Sequence, residues 1–296
     1  MISGTDILIT GGSGLLGKYL IDTNPHGHCI STMCSNPVIH PKSKQMIMNI
    51  RDRIQVEHVF MLAKPKLVIH TAAIGDVNFC EHSSNHAHEV NVVGTKHIAD
   101  LCDFYGAKMV FISTNAVFDG MNPPYKEGDE TNPLSYYGYT KVEAEKIVRY
   151  YNPGNHMIVR TMWLYGNKNF GGRDTWIDHV RRNAGNGRQM EVVDDLINQP
   201  TYAKDLADAI WKMISLELNG TYHVCGNSIM SLYKFARLIA YTYGWNQDLI
   251  HPIKLKDYET VAKRPPNTTF NTTLAEKMLI YMPSAEDALR RLRDGD

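Results

Sequence analysis

What this 296-residue sequence lacks narrows its function before any motif is considered. It has no excess charge of either sign, 31 Lys+Arg standing against 31 Asp+Glu. A chain without a net field has little to draw it onto a phosphate backbone or an anionic bilayer, so nucleic-acid and membrane-surface roles are set aside. No apolar run approaches the roughly 18 residues that would span a bilayer. The start, Met1-Ile2-Ser3-Gly4-Thr5-Asp6, lacks a basic segment followed by a long apolar stretch, and a soluble, unsecreted, cytoplasmic protein is expected. Cysteine is scarce: Cys29, Cys34, Cys80, Cys102 and Cys225 are scattered and never spaced as CxxC. That pattern argues against a zinc ribbon and a disulfide framework and fits a reducing compartment. Internal repeats, low-complexity tracts and an HExxH pattern are missing as well. His82 and His86, four residues apart with Glu81, His88 and Glu89 nearby, therefore read as the start of a solvated helix, and no metal site is assigned.

What is present is alternation. Ile7-Leu8-Ile9-Thr10 reads as a buried strand that runs into Gly11-Gly12-Ser13-Gly14-Leu15-Leu16-Gly17 and then a helix. Strand-length apolar runs recur at 28–33, 66–73, 108–114 and 157–160, and helical patterns at 89–104 and 140–151. This rhythm predicts an α/β fold, a Rossmann-type doubly wound parallel sheet over residues 1–165. A smaller, loop-rich substrate-binding lobe is expected over 166–296, with some of its segments returning to the first domain. Tyr233, Phe235, Tyr241, Tyr243 and Trp245 read as the core of that lobe, and Cys80 and Cys102 as buried fillers. The ligand cleft belongs at the carboxyl ends of the strands.

Two local signals carry chemistry. Glycines at 11, 14 and 17 lie between a strand and a helix, where they allow a tight turn, close approach of a pyrophosphate to bare backbone, and tight helix–strand packing. Gly11, Ser13, Gly14, Leu15, Leu16 and Gly17 are accordingly the first expected cofactor contacts. The second signal is Tyr137-Gly138-Tyr139-Thr140-Lys141. A phenol four residues before a lysine shares a helical face with it, so the ammonium can ready the phenol to exchange a proton with a carbonyl. A strand ending Ile112-Ser113-Thr114 can present a hydroxyl beside them.

With its TGxxGxxG loop and its Thr114, Tyr137 and Lys141, the chain resembles the extended short-chain dehydrogenase/reductases, and within them the dTDP-4-dehydrorhamnose reductase branch. The likeness extends through Ser113 to Gly120, Asn132 to Gly138, Val159 to Gly166, Val192 to Asp195, Pro200 to Ala207 and Arg264 to Asn267. It implies reduction of a 4-keto group on a nucleotide-linked 6-deoxy sugar by NAD(P)H. Tyr137 would be the proton donor, Thr114 the hydroxyl on the same oxygen, and Lys141 the nicotinamide-ribose anchor. By the same analogy Asn49, Ile50 and Asp52 lie beside the adenine, and Thr71, Ala72 and Ala73 pass under the ribose and pyrophosphate. Asn115, Ala116, Trp163, Asn169 and Thr201 would line the substrate site, and a homodimer is the expected assembly.

The sequence departs from that branch at informative places. Asn115 and Ala116 stand where the branch has Asp and Tyr, and Gly75 where it often has a hydroxyl residue, so the sugar pocket is altered. The same two residues argue against a 4,6-dehydratase, which needs an Asp-Glu pair after the Thr. Ala116 also argues against a 3,5-epimerase, which needs a further acid/base pair; His179 is the remaining candidate for such a group. A non-catalytic dinucleotide-binding subunit resembling the methionine adenosyltransferase β subunit is the alternative from another functional class. Thr32-Met33-Cys34-Ser35-Asn36 carries no acid to bind ribose hydroxyls, so the cofactor is NADP(H) or NAD(H) with a lean towards NADP(H). Lys18, Lys42 and Lys44 are candidate partners for the extra phosphate.

Overall fold

Four apolar or β-branched residues in succession form β1 (Ile7–Thr10), which is buried along its whole length in the computed structural model. The structure describes residues 3–34, 38–167 and 174–295. After β1 come α1 (Leu15–Asp22), β2 (Cys29–Met33), β3 (Ser43–Ile47), α2 (Arg53–Ala63), β4 (Leu67–His70), α3 (Val77–His82), α4 (Ser84–His88), α5 (Gly94–Tyr105), β5 (Lys108–Thr114), α6 (Tyr136–Tyr151) and β6 (His156–Thr161). An unbroken apolar strand suits a sheet covered on both faces, and successive side chains enter opposite layers. Ile7 and Ile9 join one core and Leu8 the other; Leu67 and Ile69 oppose Val68 in the same way.

Seven strands pair in parallel in the order Gly220–His223, β6, β5, β4, β1, β2, β3. The order reverses between β1 and β4, and a parallel sheet opens its ligand crevice at the carboxyl ends beside such a reversal. The outermost strand, Gly220–His223, comes from the second half of the chain. So does helix Ala203–Ser215, which lies against α1 and anchors there through Trp211 Nε1, donating to the Leu20 carbonyl at 3.1 Å. The rest of that half builds a lobe from three short pairings: Leu164–Tyr165 with Thr201–Tyr202, Ile197–Asn198 with Met230–Ser231, and Met190–Val193 with Ile250–Ile253. In that lobe Phe235 is fully buried and Tyr233, Tyr243 and Trp245 pack on the core, but Tyr241 is exposed, because helix Leu232–Thr242 turns that position to water. Cys80 and Cys102 are both fully buried. No described helix is long and apolar enough to cross a membrane.

Two differences from the sequence reading bear on the site. Helix α6 begins at Tyr136, four residues before the expected start, because Ser135 caps it by accepting from Gly138 N at 3.2 Å. Tyr137 therefore lies in the first helical turn. The helix expected over 89–104 divides into a π-helical turn, Glu89–Val93, followed by α5. That turn presents Asn91, whose amide bonds both Ile74 N (2.8 Å) and Ile74 O (3.0 Å), tying the loop after β4 to the helix layer.

Candidate active site

The carboxyl ends of β4, β5 and β6 open on a cavity of about 380 Å³ whose lining includes Thr114, Tyr137 and Lys141. Thr114 ends β5; its Oγ1 accepts from Ala116 N at 3.2 Å and lies 3.3 Å from Asn115 Oδ1, which fixes the hydroxyl at the strand tip. Tyr137 and Lys141 are one turn apart on α6 and reach the same cavity. Lys141 is only 3% exposed, with its Nζ donating to the Ile112 carbonyl at 2.7 Å and lying 3.9 Å from the centroid of the Phe111 ring. Burial is the dominant influence on this amine and pushes it down to about 7, with the Glu145 carboxylate one turn further opposing the shift. A lysine poised there holds or releases a proton near neutral pH.

Rigid support lies behind these side chains. Burial acts to raise the Glu145 carboxyl, but Arg160 outweighs it and holds the group below the usual range, through bonds at 2.9 and 2.7 Å; Ser113 Oγ adds a third at 2.6 Å. His70 joins three elements: its Nδ1 is 2.6 Å from Thr10 Oγ1 and its Nε2 3.1 Å from Thr95 Oγ1. Burial first, and the Lys141 charge second, push its imidazole down to about 3, so the ring is a neutral strut between β1, β4 and α5.

A second cavity of about 310 Å³ shares Thr71 and Ala73 with the first and is lined by Gly11, Ser13, Gly14, Asn49, Ile50 and Ala72. The glycine turn is built for close approach. Gly11 has φ +72°, and a Cβ there would lie 2.8 Å from Ala72 N; at Gly17 it would lie 2.3 Å from the Gly11 carbonyl. This bare cradle at the start of α1, running into the first cavity, fits a dinucleotide. Leu15, Leu16 and Gly17 do not line the cavity. Leu16 is buried in the core and Gly17 packs on the turn itself. Asp52 is also elsewhere, capping α2 by accepting from Ile54 N (3.0 Å) and Gln55 N (3.2 Å). Lys18 pairs with Asp22 at 2.9 Å and Lys42 donates to the Asp22 carbonyl at 2.7 Å; neither they nor Lys44 line the cavity. Arg51 and His86 do, though neither was singled out as a ligand contact from the sequence.

On the opposite side, Asn115, Ala116 and Trp163 line the first cavity together with Asn198, Arg264 and Thr268. Asn115 Nδ2 donates to Thr268 Oγ1 at 2.6 Å, and the Asn198 amide, with its oxygen turned to the indole, accepts from Trp163 Nε1 at 3.1 Å. Residues from the end of β5 and from the lobe are thus joined by a polar cluster where the related branch has Asp and Tyr. Arg264 also lines an adjoining cavity of about 210 Å³ with Trp163 and His179, and its buried Nε has no hydrogen-bond partner among the described residues. An unpaired buried guanidinium nitrogen at a junction of two cavities is suited to an anionic ligand group. The sequence showed Arg264 only as part of a family block. Burial lowers the His179 imidazole from its ordinary value. Thr201 lies away from all three cavities, fully buried, with Oγ1 donating to the Gln199 carbonyl at 3.0 Å and accepting from Gly226 N at 3.1 Å. Asn169 lies outside the described residues.

The doubly wound sheet, the glycine cradle and a Thr, Tyr and Lys on one cavity define an extended short-chain dehydrogenase/reductase. Residues 5–294 match the RmlD substrate binding domain family, and the chain belongs to that family. It is 31% identical to the spore coat polysaccharide biosynthesis protein SpsK of Bacillus subtilis, over 97% of this chain and 96% of that one. It is 29% identical to methionine adenosyltransferase 2 subunit beta of Bos taurus, over 92% of this chain and 82% of that one. Its structure superposes with a TM-score of 0.85 on dTDP-4-dehydrorhamnose reductase from Bacillus anthracis in complex with NADP, 29% identical over 98% and 99% of the two chains.

Proposed function

We propose that this protein is an NAD(P)H-dependent reductase of a nucleotide-linked 4-keto-6-deoxy sugar. The observation that carries the reading is the convergence of Thr114, Tyr137 and a desolvated Lys141 on one cavity, continuous with the glycine-lined cleft. When bound, the reduced nicotinamide supplies hydride to the carbonyl carbon. Tyr137 gives its phenolic proton to the carbonyl oxygen as the alkoxide develops, and the Thr114 hydroxyl donates a hydrogen bond to that oxygen. Lys141 favours the phenolate left behind and, with a proton affinity near neutrality, returns a proton to it. Trp163 borders the substrate, and Arg264 faces its diphosphate from the junction of the two lobe-side cavities.

NADP as the ligand of the Bacillus anthracis reductase supports NADP(H) here. A purely regulatory subunit, the reading that the bovine relative favours, leaves the burial of Lys141 beside a tyrosine without a use. The experiment is a panel of 4-keto-6-deoxy nucleotide sugars with NADPH and NADH, followed by loss of nicotinamide absorbance. Tyr137→Phe is expected to lower kcat by about 100-fold or more, the scale of general-acid catalysis. Turnover unchanged in this variant removes Tyr137 from its role.

A further inference from the structure

Arg51 and His86 are 35 positions apart in sequence, on the loop after β3 and on α4, yet both line the glycine-lined cavity. One Arg51 Nη1 lies 3.4 Å from His86 Nδ1. The guanidinium is also steered from its own loop, Nε donating to Asn49 Oδ1 at 3.3 Å while the Arg51 backbone N donates to the same oxygen at 3.1 Å. Edge-on packing against Phe79, with ring centroids 6.0 Å apart, sets the His86 ring. The same cavity is lined by Thr32 and Met33 at the end of β2 and by Cys34 just after it. In a doubly wound fold the adenosine ribose hydroxyls lie by that strand end, where an acid selects the unphosphorylated sugar. Here no carboxylate lines the cavity among the described residues, and Arg51 is the permanently charged cation that does.

We propose that Arg51 is the specificity-determining residue for the adenosine ribose, pairing with a 2′-phosphate, and that Asn49 and His86 are positioning residues that aim its guanidinium. A planar fork matches phosphate oxygens two at a time, which an ammonium cannot do. The lysines at 18 and 42 are already engaged around Asp22, so they do not compete for this task. The assignment rests on the dinucleotide-binding half of the proposed function and is independent of the reductase chemistry.

The test is calorimetric titration of the whole protein with adenosine 2′,5′-bisphosphate and with adenosine 5′-monophosphate, two probes that differ only in the 2′-phosphate. The wild type is expected to prefer the bisphosphate by about 10-fold or more, the scale of a charge-assisted pair. Arg51→Ala should abolish most of that preference while leaving monophosphate affinity within about twofold, and Arg51→Lys should retain part of it. Equal weakening of both probes in Arg51→Ala would mean that the side chain covers the base, and overturns the assignment. A preference unchanged in that variant, or no preference in the wild type, overturns it too. Binding of neither probe, nor of NADPH, sinks the dinucleotide reading itself and the assignment with it, whereas selective binding without sugar turnover refutes only the reductase.

Discussion

Lys141→Met should make the protein more stable and less active at once. The wild-type amine is buried, and its proton affinity falls from the ordinary 10.5 to about 7. At about 1.4 kcal/mol per tenfold change, keeping this group in the folded state near pH 7 costs roughly 5 kcal/mol relative to water. Methionine removes that cost but also removes the bond to the Ile112 carbonyl, a loss of about 1–3 kcal/mol for a buried acceptor left unpaired. The expected net gain is about 2 kcal/mol or more. Its sign with pH follows from proton counting: between about 7 and 10.5 the unfolded chain keeps the lysine proton and the folded one has released it, so wild-type stability rises with pH across that window. The variant lacks this slope, and its advantage should shrink by about 1.4 kcal/mol per pH unit above neutrality. Urea unfolding of both proteins at pH 6.5, 7.5 and 8.5 measures this directly. A destabilised variant whose deficit does not change with pH would refute the claim that burial, rather than packing, governs this lysine.

Two further outcomes follow from other parts of the structure. Asp52→Ala should lower stability by about 1 kcal/mol through loss of the α2 cap and leave NADPH affinity unchanged within twofold; a tenfold loss of affinity would return Asp52 to the cofactor. Arg160→Leu should cost about 2–3 kcal/mol, because Glu145 stays buried with the partly exposed Arg149 as its remaining ion-pair partner, and Glu145→Leu in the same chain should recover much of it; additive losses in thermal unfolding contradict a coupled pair.

The parts of the site legible in the sequence are those where one short segment fixes both geometry and chemistry. The turn from Gly11 to Gly17 must sit between strand and helix, and Tyr137 and Lys141 must share a face once their segment is helical. The resemblance places Asp52 beside the adenine, and an acid three residues before a glutamine reads equally well as a helix cap; the fold shows the cap, accepting from Ile54 N and Gln55 N. Thr201 belongs to a family block, but burial against Gly226 turns its hydroxyl inward. Arg51, His86 and Arg264 reach their cavities only when distant segments of the chain meet, and no local period announces that. His82 and His86 share the spacing of a metal pair and read instead as the start of a solvated helix; the spacing gives no hint that His86 Nδ1 comes within 3.4 Å of Arg51 Nη1, 35 residues earlier.

The most direct measurement is transfer of an isotopic label. The protein is incubated with a nucleotide-linked 4-keto-6-deoxyhexose and NADPH deuterated at the transferable position of the nicotinamide, and the sugar product is examined by NMR. Deuterium on C4 of a new secondary alcohol is the predicted result. Tight binding of both compounds with no label in the sugar would contradict the account and leave a dinucleotide-binding protein without reductase chemistry.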